Sequence, residues 1–596
     1  MTTNDPVRPG RRDDRWRLAT LIIWLAFAIG LISWYWGRIH WFALGDTDDN
    51  MRMMEVRAWL NGQGWFDLRQ YRLSPPGGFN IHWSRLVDLP IAAIILAVKP
   101  FFGTAIAERA AIAIAPVLPL YVVLISLGLV ARRLIASWSF LLSAFVLLGA
   151  ASTLGMFTPA RIDHHGWQLA MVALIVAGLA DPQARRGGAT VGVASALSLV
   201  IGFEMMPYLA LAGAAIVLRW VIDAGQARRL QTYGIALAGG CALGFAVFAS
   251  NDNWRPVCDV LSPPWMSTMV LAGGLLFVLG RISLHGPVTR LSAAIVAAAL
   301  LGGFMALAWP QCLGRPEGVS DELQRDWLDN IREARPITVQ EWRTAAIMIT
   351  LPAVGLIGSI LALLNARHAR DADRLAAWGS IALLSTCGLA LLFFQIRAAA
   401  AAQLLAVPAA TYLIWTIVPR LRASGNIVVR VVGVAALVLA GSGLLVPFLV
   451  RLVPKAPDKP VYAAVRKAGA SCSTIPSMAP LNKVPRATVL TMVDLGPRLI
   501  TLTHHDAIAG PYHRNGTQIL DVHRAFNGDE AKARQIARKY GATLLLICPN
   551  FAEATVYRAK SPKGFYAKLE RGIVPAWLEP VALPAKSPFK LWRIKP

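Results

Sequence analysis

Two short stretches concentrate the side chains that hold cations and move protons. The first, GDTDDNMRMMEVRAWLNGQGWFD, brings Asp46, Asp48, Asp49 and Glu55 within ten residues. Carboxylates bunched this way repel one another unless a cation or a basic partner is near. A hard divalent ion, Mg²⁺ or Mn²⁺, is the natural partner for oxygen ligands, and a solvated acidic loop with Arg52 and Arg57 as counterions is the alternative. The second stretch, ARIDHHGWQ, sets Asp163, His164 and His165 at the head of an apolar run. A capping aspartate beside surface histidines would account for it as well. Three further charges stand where apolar runs end: Glu204 in GFEMMPY, Glu333 in NIREARPI within the long polar segment 311–343, and Arg397 in LLFFQIRAAAAAQLLAVPAA. Glu204 is as good a hinge as a ligand. An arginine facing lipid snorkels to the headgroups, whereas one facing a helix bundle can clamp a phosphate.

Positioning these groups is the work of a membrane bundle. The chain has 596 residues, of which 56% are hydrophobic and 16% charged, with mean hydropathy +0.50. Spanning a bilayer takes about 20 helical residues, and runs such as LATLIIWLAFAIGLISWYW after Arg17 meet that length. The formal charge of +25 resides largely in Arg residues of short links between apolar runs. That is the pattern of cytoplasmic membrane loops and not of a nucleic-acid surface. MTTNDPVRPGRRDDRWR lacks a small-residue cleavage site, so residues 1–17 read as a retained cytoplasmic tail. No Cys spacing resembles a zinc site.

Segment 89–103, LPIAAIILAVKPFFG, decides the topology, being apolar but about 15 residues long and carrying Lys99 and Pro100. If it spans, six Arg-bearing links fall opposite the Arg-rich N-terminus, against the positive-inside rule. If it lies in the interface, all six come inside, and the segments around Asp46, Asp163, Asp252 and 321–341 come outside together. The second version predicts thirteen spans, near 18–37, 106–131, 138–157, 166–181, 188–203, 206–222, 233–250, 265–280, 291–308, 345–364, 375–395, 399–419 and 427–450. Residues 18–454 would form the membrane domain. Pro454, Pro457 and Pro460 mark a linker into a soluble α/β domain, 455–596, with strand-length runs TVLTMVDLG and ATLLLIC around an amphipathic DEAKARQIARKYG. An odd number of spans places that domain outside, in the periplasm of a bacterial inner-membrane protein. Cys258, Cys312, Cys472 and Cys548 would lie on that side, as two disulfides, Cys258–Cys312 and Cys472–Cys548, or as buried thiols.

In order and in kind these motifs resemble the catalytic subunit of oligosaccharyltransferase, a GT-C membrane glycosyltransferase, in its archaeal and bacterial forms. Asp46, Met51, Arg52 and Glu55 fit the family's DxxxxMRxxE pattern, PPGGFNIHWSRLVD at 75–88 is similar to the continuation of its first outer loop, and Asp163, His164 and His165 match its archaeal DHH. The resemblance implies a polytopic α-helical GT-C fold with an outer C-terminal α/β domain. It implies Asp46, Asp163 and His165 as ligands of a divalent metal, Arg397 on the donor's diphosphate, and Glu333 as the outer-loop glutamate. Where the family carries WWDYG for its Asn-x-Ser/Thr acceptor, residues 492–496 read MVDLG, keeping only Asp494 and Gly496. A different acceptor is implied.

The expected function is transfer of a glycan from a polyprenyl-(di)phosphate donor in the membrane to a glycan, lipid or protein acceptor on the periplasmic side. Asp46 or Glu333 would orient or deprotonate the acceptor, with Asp48, Asp49, Glu55, His164 and Asp494 on the acceptor side or behind the ligands. His504–Asp506 and 511–515 offer polar groups from above, or are plain surface loops. A GT-C monosaccharide transferase using a polyprenyl-phosphate sugar is the enzymatic alternative, a lipid-linked glycan flippase the transport one. Against transport, the charges gather at helix ends and not at mid-membrane.

Overall fold

Helices make up most of the chain, and the apolar runs account for them. The computed structural model describes residues 15–314, 317–454 and 459–596; most of the expected N-terminal tail, to residue 14, and Pro457 of the expected linker lie outside these. Eight helices are long and apolar enough to cross a membrane, or nine if Val429–Gly441 and Leu445–Leu452, bent by 92°, form one span. The molecule is a multi-pass membrane protein. His165–Leu179 and Met206–Ile222 are equally apolar but shorter.

Two of the expected spans are interrupted, and they interrupt each other. Residues 138–157 split into Ser139–Leu147 and Ala151–Gly155. Between them Gly149 lies against the carbonyl of Ser442, so close that a Cβ would fall 1.7 Å from that oxygen. Ser442 sits in the bend of the last apolar pair, beside Gly443 at φ 77°. Segment 89–103 belongs to Asp88–Ile114, two helical stretches meeting at Gly103, whose φ of 77° suits glycine. Its Ile91, Ala92 and Ile95 pack against Met53 and Val56 of the helix Thr47–Leu60, while Leu96, Phe101 and Phe102 stay exposed.

Beyond residue 460 the runs shorten to strands. After the short antiparallel pair β1 (Arg69–Gln70) and β2 (Phe79–Asn80) come β3 (Thr488–Leu490), β4 (Asp506–Ala507), β5 (Leu544–Ile547), β6 (Leu578–Pro580) and β7 (Lys590–Ile594). The last five form one sheet in the order β4-β3-β5-β7-β6, parallel across β4-β3-β5 and antiparallel across β5-β7-β6. The helix Glu530–Lys539 precedes β5, capped by Asp529, whose carboxylate accepts the Lys532 N–H at 2.8 Å, and followed by Gly541 at φ 61°.

This sheet does not stand alone. Leu73 bridges Ala507 in parallel, with the Ser74 N–H donating to Ala507 O at 2.8 Å and the Ala507 N–H to Arg72 O at 3.0 Å. The segment after the first helix therefore adds itself to the β4 edge. Met51, Leu68, Phe79, Ile81 and Trp83 share one core with Leu490, Ile508 and Phe526, and Leu323 and Trp327 of the 311–343 segment join it. Cys258 is disulfide-bonded to Cys312 and Cys472 to Cys548; Cys241 and Cys387 are free.

Candidate metal centre

The centre begins as a helix cap. Asp46 precedes Thr47–Leu60 in an extended conformation, and its Oδ1 accepts the N–H groups of Asp48 at 2.9 Å and Asp49 at 3.2 Å. Asp49 Oδ2 accepts the Asp46 N–H at 3.0 Å, closing a reciprocal capping box. Gly45 makes room for it, since a Cβ there would meet Asp49 Oδ2 at 2.5 Å. Asp49 Oδ1 then accepts the N–H groups of Ile162 at 2.6 Å and Asp163 at 3.0 Å. One buried carboxylate thus ties together segments 113 residues apart. Asp163 in turn receives the His165 N–H at 2.9 Å, at the head of His165–Leu179. Asp46, Asp49 and Asp163 end with carboxylate oxygens within 4.8 Å of one another.

Such crowding needs cations. Arg161 Nη1 lies 3.1 Å from Asp46 Oδ2 and Nη2 lies 3.0 Å from Asp163 Oδ2, an oxygen that accepts no well-formed hydrogen bond. His165 Nδ1 is 3.2 Å from Asp163 Oδ1. Against burial, which would lower it, the Asp163 carboxylate pushes His165 up to about 10. Burial would raise Asp163, yet His165 and Arg161 hold it well below the usual carboxylate range. Asp49 goes the other way, pushed well up by burial and by Asp46 and Asp163, and Asp48 is pushed up by burial and Asp46, with Glu333 adding to the push. Two cations do not fully offset this group of carboxylates.

One of the expected ligands, His165, stands outside the converging group. His165 is engaged with Asp163 through the helix start and does not share the convergence, which Asp49 completes instead. Asp48 lies in the first turn, with its N–H on Asp46. His164 is buried behind the site, its Nε2 2.8 Å from Glu204 Oε1, while Gln168 donates to Glu204 Oε2 at 2.5 Å. Glu55 is buried nearly two helical turns beyond Asp48, its carboxylate without a hydrogen bond and 3.9 Å from Arg85, in a network where Arg85 and Arg52 both reach Asp88. Arg52 also stacks on Trp83 at 4.4 Å. Glu333 is exposed on the 311–343 segment, near enough for its charge to act on Asp48. Arg397 is exposed, donates to Gln395 at 2.7 Å and makes no hydrogen bond to the acidic centre.

Residues from the C-terminal sheet roof the centre. Tyr512 donates to Thr47 O at 2.9 Å, burial and the charges of Asp48 and Asp46 pushing its hydroxyl up. His513 and Arg514 hold Asp259 at 2.6 and 2.7 Å, so the 511–515 loop is a clamp and not a free surface. His504 and His505 point away, to the carbonyls of Val484 and Leu481. The Asp494 N–H donates to Glu553 at 2.8 Å. Arg498, four residues on, was not singled out by its sequence context; the only cue is its position just after the Asp-x-Gly turn.

The structure of the oligosaccharyltransferase AglB of Archaeoglobus fulgidus, in complex with an inhibitory peptide and a dolichol-phosphate, superposes with a TM-score of 0.67 at 15% identity, covering 95% of this chain and 72% of that one. The apo form of the A. fulgidus enzyme gives 0.63 at 15% identity over 92% and 72% of the two chains, and its complex with zinc and sulfate 0.57 at 12% over 91% and 70%. The fold is like that of the archaeal oligosaccharyltransferase. No protein-family model and no curated protein matches the sequence, so this likeness is carried by shape.

Within that fold the donor set fits a divalent cation. Three carboxylates converge, and one of their oxygens is buried without a well-formed hydrogen bond. Oxygen-only ligands suit a hard ion. A pocket lined by Val87, Ile91, Pro116, Pro119 and Trp167 adjoins Arg161 and Asp163, leaving apolar space beside the charged centre.

Proposed function

We propose that this protein is a bacterial inner-membrane glycosyltransferase that moves a glycan from a polyprenyl-phosphate or -diphosphate donor to an acceptor on the periplasmic face. The observation that carries it is the convergence of Asp46, Asp49 and Asp163 within 4.8 Å on an oligosaccharyltransferase-like fold. Those three residues would hold Mg²⁺ or Mn²⁺, which when bound supplies Lewis-acid stabilisation of the charge on a departing phosphate. Arg161 keeps Asp46 and Asp163 oriented between rounds. Asp49, through the N–H groups of Ile162 and Asp163, holds the two halves of the site in register. Glu333, on a mobile-length outer segment and electrically coupled to Asp48, orients the acceptor nucleophile. Arg397 is assigned to the donor lipid's phosphate in the headgroup region.

The acceptor is not the Asn-x-Ser/Thr sequon. Met492 and Val493, which replace the two tryptophans of the acceptor motif, are buried in the core and offer no aromatic platform. In membrane vesicles given a radiolabelled polyprenyl-diphosphate glycan and a periplasmic extract as acceptor source, Asp46→Ala and Asp163→Ala are expected to abolish label transfer while membrane insertion and both disulfides persist. Transfer at the native rate by either variant would remove the reading.

A further inference from the structure

Arg498 has a buried Nε that meets no partner, close enough to Asp494, Asp46 and Asp49 for their charges to act on it. It lies on the short helix Gly496–Leu502, which is held at both ends. Gly496 abuts Ala509 O, where a Cβ would fall at 2.0 Å. Thr501 donates to Asn50 O at 3.1 Å, and Arg57 donates to Thr501 O at 2.6 Å. Those contacts lay the helix against Thr47–Leu60, and Arg498 is one turn back from Thr501. Its guanidinium sits 5.8 Å over the ring of Phe551, and its Nε is buried. Among the described residues it makes no hydrogen bond and no ion pair. Burial lowers its affinity for a proton while Asp494, Asp46 and Asp49 act in the opposite sense, which sets it beside all three acids without pairing to any.

Leaving a buried donor unmet costs on the order of 1–3 kcal/mol, and Asp494 is at the i−4 spacing where a helical partner would ordinarily be. An arginine set over an aromatic ring and unpaired beside an available carboxylate keeps its donors for a third group. The planar guanidinium matches an oxyanion with two parallel hydrogen bonds. We infer that Arg498 grips an oxyanion of the substrate, a phosphate or a carboxylate, presented to the Asp46–Asp49–Asp163 centre. The inference rests on the glycosyl-transfer reading for the identity of that substrate. It adds a specificity residue from the C-terminal side, where the acceptor motif has been rebuilt as MVDLG.

The test is calorimetric, on the purified full chain in detergent. Mn²⁺ is titrated first, then inorganic pyrophosphate and D-glucuronate separately, each with and without Mn²⁺, on wild type, Arg498→Ala, Arg498→Met and Arg498→Lys. Loss of a bidentate charged contact is expected to weaken one anion by about 10- to 100-fold in the Ala and Met variants, and less in Lys, with Mn²⁺ affinity unchanged or improved. The Met variant keeps the apolar stem against Phe551, so weakening shared by Ala and Met reports the guanidinium and not the fold. Weakened pyrophosphate assigns the contact to the donor's leaving group; weakened glucuronate alone assigns it to an acidic acceptor. Equal binding of both probes by wild type and Arg498→Ala, or binding of neither by wild type, overturns the inference. Failure of wild type to bind Mn²⁺ counts instead against the metal centre, and the anion titrations without Mn²⁺ still decide Arg498.

Discussion

Replacing Arg161 by glutamine removes the resident cation from between Asp46 and Asp163, and the structure indicates what that should cost. The Asp163 side chain is fully buried and the Asp46 side chain 39% exposed. Removing one partner of a buried pair costs about 3–5 kcal/mol, but Asp163 keeps His165 at 3.2 Å, so a loss of about 2–3 kcal/mol is expected there. The exposed Asp46 contact adds under about 1 kcal/mol. A divalent ion bound by the same oxygens replaces the lost charge, and at a free concentration of about 1,000 times Kd it stabilises by about 4 kcal/mol. Arg161→Gln should therefore melt several degrees below wild type in EDTA, with the gap closing in millimolar Mn²⁺. Intrinsic tryptophan fluorescence during a thermal ramp in detergent reads both states. An equal deficit in EDTA and in Mn²⁺ would mean that Arg161 is a plain structural strut. No deficit in EDTA would mean that the carboxylates need no counter-cation, and the electrostatic account of the centre would fall.

Two further perturbations probe the frame around the centre. Burial pushes Glu55 from an ordinary 4.5 up to about 8, so between those values the folded chain holds a proton that the unfolded chain has released, and stability falls as pH rises through that window. Glu55→Gln should flatten the slope of melting temperature against pH from 5 to 7.5, by about 1.4 kcal/mol per pH unit, and an unaltered slope would refute the protonated carboxyl. Gly496→Ala forces a Cβ to 2.0 Å from Ala509 O, so the turn carrying Asp494 must shift; a loss of more than about 2 kcal/mol is expected, read as earlier melting and faster trypsin cleavage beyond residue 460, and a native melting curve would contradict the packing.

What the sequence made legible was whatever depends on neighbours within a few residues. The capping aspartates, the helix before β5 with its Asp529 start and Gly541 end, and the strands in TVLTMVDLG and ATLLLIC could all be read from type and spacing, whereas the common side of GDTDD and ARIDHH followed from the charge pattern of the links. Which third side chain joins Asp46 and Asp163 in the converging group could not. His165 follows Asp163 by two residues and looks like a ligand, yet its ring is drawn to Asp163 by the same helix start that fixes its N–H. Asp49 faces the centre because its other oxygen is committed to backbone 113 residues away. Likewise the break in 138–157 depends on Gly149 meeting Ser442, a contact between two runs that each read as continuous. Arg498 was invisible because an unpaired side chain is defined by what surrounds it in space.

The bridge from Leu73 to Ala507 also sets a timetable. Those residues are made 434 positions apart, which at about 5–20 residues per second is roughly 20–90 s of synthesis. For that interval Met51, Leu68, Phe79, Ile81 and Trp83 have emerged without the C-terminal half of their core. The roof over the acidic centre, with Tyr512 and Arg498, arrives at the end. A chain that stops early thus carries the three aspartates but no closed site.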